Sequence, residues 1–94
     1  MTFKNKLSCS TLTEDQHKRI IQHVEYCLYI CYDEDELLRE YHWLIEFISS
    51  LHSMSFICPR EREKYMVFIK EKYEENQERI NLEILKSEGV EVEA

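Results

Sequence analysis

From Thr13 to about Ser87 the apolar residues recur at spacings of three and four, and almost nothing interrupts them. Ile20, Ile21, Val24, Cys27, Leu28 and Cys31 fall on one broad face when laid out at 100° per residue, which predicts a first amphipathic helix. Thr13-Glu14-Asp15-Gln16 has the spacing of a capping box and places its start. The run Asp33-Glu34-Asp35-Glu36 then ends that helix and opens a second. Its carboxylates suit the positive end of a helix dipole, and Asp33 with Glu36 repeats the capping spacing. Leu37, Leu38, Tyr41, Leu44, Ile45, Ile48 and Leu51 form the second apolar face, with Trp43, Phe47 and Leu51 as a ridge along its flank. So short a connection makes the two helices antiparallel neighbours.

The pattern breaks between Ser53 and Cys58, and Pro59 suits the first position of a third helix. That helix runs to about Ser87, and Gly89, the lone glycine, stands where it should stop. Its length, roughly 43 Å against about 29 Å for either partner, predicts that its second half overhangs the hairpin. Met66, Ile69, Tyr73, Asn76, Ile80 and Ile84 draw a narrow seam along it of the kind that pairs helices in a coiled coil, with Asn76 able to set register. The fold expected is therefore all-α: an antiparallel helical hairpin plus a long third helix, a small bundle assembled as a homodimer. Residues 1–12 are expected to be a flexible N-terminal segment, 13–88 the single three-helix domain, and 89–94 a disordered acidic tail.

Composition narrows the function classes. At 94 residues the chain forms one small domain, which buries only about 60–65% of its unfolded surface, so assembly would help it. The net charge of −7 is concentrated in residues 33–58 and 74–94, while 59–73 carry a slight positive excess interleaved with glutamates. An acidic chain without a basic face repels phosphate, which argues against nucleic-acid binding. No apolar run approaches the roughly 18 residues of a membrane span, and no signal peptide opens the sequence. A cytoplasmic protein is expected, with cysteines 9, 27, 31 and 58 reduced.

Catalytic chemistry finds little footing. With one glycine in the chain there is no P-loop, dinucleotide fingerprint or nucleophile elbow, and no enzyme activity or cofactor is expected. His23-x-x-x-Cys27-x-x-x-Cys31 places three metal-ligand types on one helix face, but it climbs two turns, roughly 12 Å, too far for one zinc ion. A metal or redox site would have to use a pair such as Cys27 and Cys31 with Cys58, His52 or Cys9. Packed core residues are the simpler reading for Cys27, Cys31 and His52.

The aromatic inventory points elsewhere. Six tyrosines, four phenylalanines and one tryptophan exceed what a three-helix core of this length readily hides. Tyr26, Tyr29, Trp43, Phe47 and Phe68 lie off the central stripes and are the candidate partner-binding residues. The sequence thus reads as a non-enzymatic protein–protein interaction module: a small acidic regulator, adaptor or inhibitor, with a composition compatible with a phage, virus or mobile-element accessory protein. Two alternatives come from other classes. One is a metal-binding or redox-sensing protein using Cys27, Cys31 and Cys58. The other is an acidic mimic of nucleic acid that binds a DNA-handling protein.

Overall fold

A computed structural model describes residues 11–87 and shows three helices: α1 (Glu14–Tyr29), α2 (Glu34–Ser53) and α3 (Pro59–Ser87). The local signals act as the sequence implies. Thr13 caps α1 through both halves of the box: its hydroxyl accepts the Gln16 N–H at 3.1 Å, and the Gln16 side chain accepts the Thr13 N–H at 2.9 Å. Asp33 caps α2 by accepting the Glu36 N–H at 2.8 Å. Glu36 reaches back one residue further than a capping box requires and accepts the Tyr32 N–H at 2.9 Å, which ties down the α1–α2 connection. At the start of α3 the Glu61 carboxylate accepts the Cys58 N–H at 3.1 Å.

The turn between α2 and α3 contains no glycine, and Ser55 occupies the left-handed region with φ 66°. Its N–H donates to the His52 carbonyl and that of Phe56 to the Leu51 carbonyl, the paired bonds of a Schellman motif. A Cβ in this region costs roughly 1–2 kcal/mol. Ser55→Gly is therefore expected to stabilise the protein by about 0.5–1 kcal/mol, after allowing for the extra freedom glycine gains in the unfolded chain. Thermal melts would register this as a rise of a few degrees; an unchanged or lower midpoint would show that the turn is relaxed with serine.

The helices run up, down and up. His17, near the start of α1, lies against Glu61 and Tyr65 at the start of α3, and Tyr29 at the end of α1 lies against Arg79. α1 is thus parallel to α3 and antiparallel to α2. The two helices of the α1–α2 hairpin pack on each other least, whereas α2 and α3 form the most extensive pair. α3 consequently supplies the centre of the core: Ile69 and Ile80, both fully buried, meet Val24 and Leu28 of α1 and Leu37, Leu44 and Ile48 of α2. Ile57 closes the core at the α2–α3 turn.

Two expectations change here. Burial on α3 continues to Ile80, and only residues 81–87 are exposed without interruption, so about 10 Å of the helix projects rather than half of it. The physical reason is that α2, with 20 residues, runs beside nearly all of 59–80. In the N-terminal segment, Thr11 donates to the Phe56 carbonyl at 3.1 Å and Leu12 packs on the core, so these two residues are fixed. The remainder of that segment and the 89–94 tail lie outside the described residues. No helix among the described residues is long and apolar enough to cross a membrane.

Candidate protein-docking surface

The candidate aromatics divide between two surfaces. Tyr26 and Tyr29, 63% and 65% exposed, stand on α1 beside α3 and border an open groove with Gln22, Glu25, Lys72 and Asn76. The Arg79 guanidinium lies 5.1 Å from the Tyr29 ring centre, and Lys72 lies 5.6 Å from that of Phe68, which is half-buried one turn earlier on α3. Lys72 is also paired with Glu25 and Glu75, so this groove is largely neutralised from within.

Trp43 and Phe47 occupy the other surface, where the outer face of α2 meets α1. Their rings stack at 5.5 Å with an 8° interplanar angle, as the i, i+4 spacing allows. His23 of α1 meets both edge-on, at 6.2 Å from Trp43 and 6.5 Å from Phe47. Phe47 reaches the core and Trp43 remains 52% exposed. The indole therefore rests against Phe47 and His23 while half of it faces solvent. Leu38, Arg39, Glu40, His42 and Glu46 surround it in a shallow concavity.

The predicted dimer seam lies mostly inside the molecule. Ile69 and Ile80 are fully buried, Asn76 is 8% exposed, Met66 packs on the core, and the Tyr73 ring lies tilted against Tyr41 of α2 at 4.4 Å. Of the six residues only Ile84 projects freely, at 40% exposure. The stripe reads as a coiled-coil seam because α3 packs on α2 with that same periodicity, so the helix it covers belongs to the same chain.

The Asn76 amide is engaged within its own chain. Its Nδ2 donates to the Lys72 carbonyl at 2.8 Å, and its Oδ1 accepts from Arg79 Nε and Nη2 at 3.1 and 2.9 Å. Held this way, Arg79 Nη2 donates to the Tyr29 carbonyl at 2.9 Å and the Cys31 carbonyl at 3.4 Å. The last turn of α1 has no basic residue of its own. Arg79 supplies from another helix the donors and positive charge that the α1 C-terminus lacks. Sequence reading misses this pair because its partners lie 50 positions apart.

The metal candidates separate along the bundle. Cys58 and His52 sit at the α2–α3 turn, the end where His17 meets Glu61. Cys27 is ten residues further along α1, roughly 15 Å away, so the four cannot share one ion. His23 Nε2 does lie 3.4 Å from Cys27 Sγ, but Cys31 Sγ points away and donates to the Cys27 carbonyl at 3.2 Å. Burial and Glu40 raise the Cys27 thiol above its ordinary value. Burial, with Glu36 and Glu40 nearby, pushes Cys31 up to about 11. Thiols held protonated in this way are poor nucleophiles and poor ligands at neutral pH. Among the described residues no group of three or more His, Cys, Asp or Glu side chains is arranged to hold a metal ion.

One polar cluster escaped the sequence reading. His17 stacks on Tyr65 at 5.8 Å, its Nδ1 and the Tyr65 hydroxyl share a hydrogen bond, and its Nε2 lies 3.5 Å from Glu61. Burial and then Glu61 push Tyr65 up to about 12. Because the unfolded chain sheds these protons first as pH rises, the stability from Cys31 and Tyr65 is complete below about pH 9 and is lost above it. Between pH 9 and 11 for Cys31, and between 10 and 12 for Tyr65, the folded state is progressively penalised. A loss of about 1 kcal/mol at pH 10 is expected from Cys31 alone, and Cys31→Ala should flatten that limb of the melting-temperature profile. A profile with the same slope in the variant would show that the thiol is not responsible.

Compared with protein-family models, curated proteins and solved structures, the chain matches none.

Proposed function

We propose that this protein is a non-enzymatic binding module, a small acidic regulator, adaptor or inhibitor that docks on another protein through the Trp43 face. One observation carries the reading: a half-exposed tryptophan seated against Phe47 and His23. A free aromatic side chain must lose rotamer freedom when a partner covers it, and seating against Phe47 and His23 lowers that cost. Tryptophan anchors of this kind dominate interface energetics because they combine large apolar area with a polar N–H. The seam stripe being consumed within one chain, the partner is expected to be a different protein.

Partner capture from the native cell, followed by titration of the captured protein, tests the reading. Trp43→Ala should raise the dissociation constant about tenfold, equivalent to roughly 1.4 kcal/mol, while the melting temperature shifts little. If the substitution instead destabilises the fold and leaves affinity unchanged, Trp43 merely widens the core.

A further inference from the structure

The outer face of α2 combines two features that together select a partner. Its apolar surface is Trp43 with the edge of Phe47 on the α1 side and Leu38, 43% exposed, on the opposite flank. Its charge is strongly one-sided: α2 carries Glu34, Asp35, Glu36, Glu40 and Glu46 against Arg39 as its single lysine or arginine. Among the described residues neither Glu40 nor Glu46 belongs to an ion pair, although both border the Trp43 concavity. Carboxylates on the α1–α3 side are treated differently, since Glu25 and Glu75 both meet Lys72. Arg39 lines the same concavity and half-buried Glu40 also meets the Cys27 thiol, so the chain offsets part of this charge, and the Trp43 face keeps a net negative excess with Glu46 its most exposed carboxylate.

We propose that this face receives a basic amphipathic segment of a partner protein, with apolar residues on Trp43 and Leu38 and lysines or arginines facing Glu40 and Glu46. The inference rests on the Trp43 face being the docking surface and adds the chemistry of its occupant. Complementary charge around an apolar anchor speeds encounter and disfavours wrong partners. Phosphate-bearing surfaces are repelled by the same carboxylates. A second copy is disfavoured as well, because a two-fold arrangement would set Glu40 and Glu46 against their equivalents with only Arg39 to offset them.

Trp43 is the sole tryptophan, so its emission reports on this face directly. The probes are helical peptides sharing one leucine pattern, with polar faces of lysine, glutamine or glutamate. The leucine–lysine peptide is expected to shift the emission to shorter wavelength and saturate, and the leucine–glutamate peptide to leave it unmoved. Glu40→Lys with Glu46→Lys should weaken lysine-peptide binding about tenfold or more, and the milder Glu40→Gln with Glu46→Gln by a smaller factor. Glu71→Lys with Glu74→Lys makes the same change in net charge on exposed positions of α3 and should leave affinity within about twofold. Equal losses from the α2 and α3 lysine pairs would reduce the effect to net charge and overturn the proposal. Equal binding of the glutamine peptide would overturn the basic occupant while leaving the docking face standing. No response to any peptide would also overturn it, and partner capture with Trp43→Ala would still test the face separately. A shift that grows with protein concentration alone would assign the face to a second copy and overturn the basic partner.

Discussion

Ile80→Ala is expected to lower the unfolding free energy by about 3 kcal/mol, with an unfolding midpoint that does not move with protein concentration. Ile80 is fully buried and is the last residue of α3 to enter the core. Truncation removes three methyl or methylene groups from close contact and leaves a cavity that helices fixed at both ends cannot fully collapse. Ile84→Ala, one turn later and 40% exposed, should cost under about 1 kcal/mol. The pair locates where the α3 stripe stops being core. Urea unfolding over a wide range of protein concentration distinguishes the outcomes. A seam shared between two copies would give similar losses at both positions and a midpoint that rises with concentration.

Arg79→Ala should cost about 2 kcal/mol, far more than an ordinary surface arginine. The substitution removes donors from the Tyr29 and Cys31 carbonyls, takes the positive charge from the α1 C-terminus, and leaves the buried Asn76 Oδ1 without its partner. Lysine is a poor replacement, because a single ammonium cannot reproduce the guanidinium fork that spans Asn76 and two carbonyls. Asn76→Ala alone should cost roughly 1 kcal/mol, and the double variant less than the sum, since each residue acts through the other. Denaturant melts of the four proteins at low and high salt decide the matter. A loss below about 0.5 kcal/mol that vanishes in salt would mean Arg79 contributes only its exposed pair with Glu83.

The proposed docking surface was partly legible in the chain. Trp43 and Phe47 stand four apart on a helical pattern, which is enough to predict that they adjoin. That His23 completes their setting could not be read, because His23 belongs to another helix and shares a face with the cysteines that suggest metal chemistry. Tyr26, Tyr29 and Phe68 looked like parts of the same aromatic surface. They are instead divided from Trp43 by the way α1 sits against α3, with Lys72 and Arg79 beside them. Glu40 and Glu46 were visible only as part of a regional charge excess. Their significance depends on which cations the fold brings near other carboxylates and which it does not.

Helix identity, order and starting points were set by the sequence alone. Each rests on interactions within about four residues: the Thr13–Gln16 box, the Asp33 cap, Pro59, and the period of apolar positions. The α2–α3 turn is the exception, since Ser55 takes a backbone region that serine does not advertise. Which side of α3 is interior was decided only by tertiary packing. An apolar stripe encodes that it must be covered but not whether its own chain or another does so, and the cover here comes from helices tens of residues away. The same is true of Asn76 and Arg79, whose charge and amide find their purpose only when the end of α1 arrives beside them.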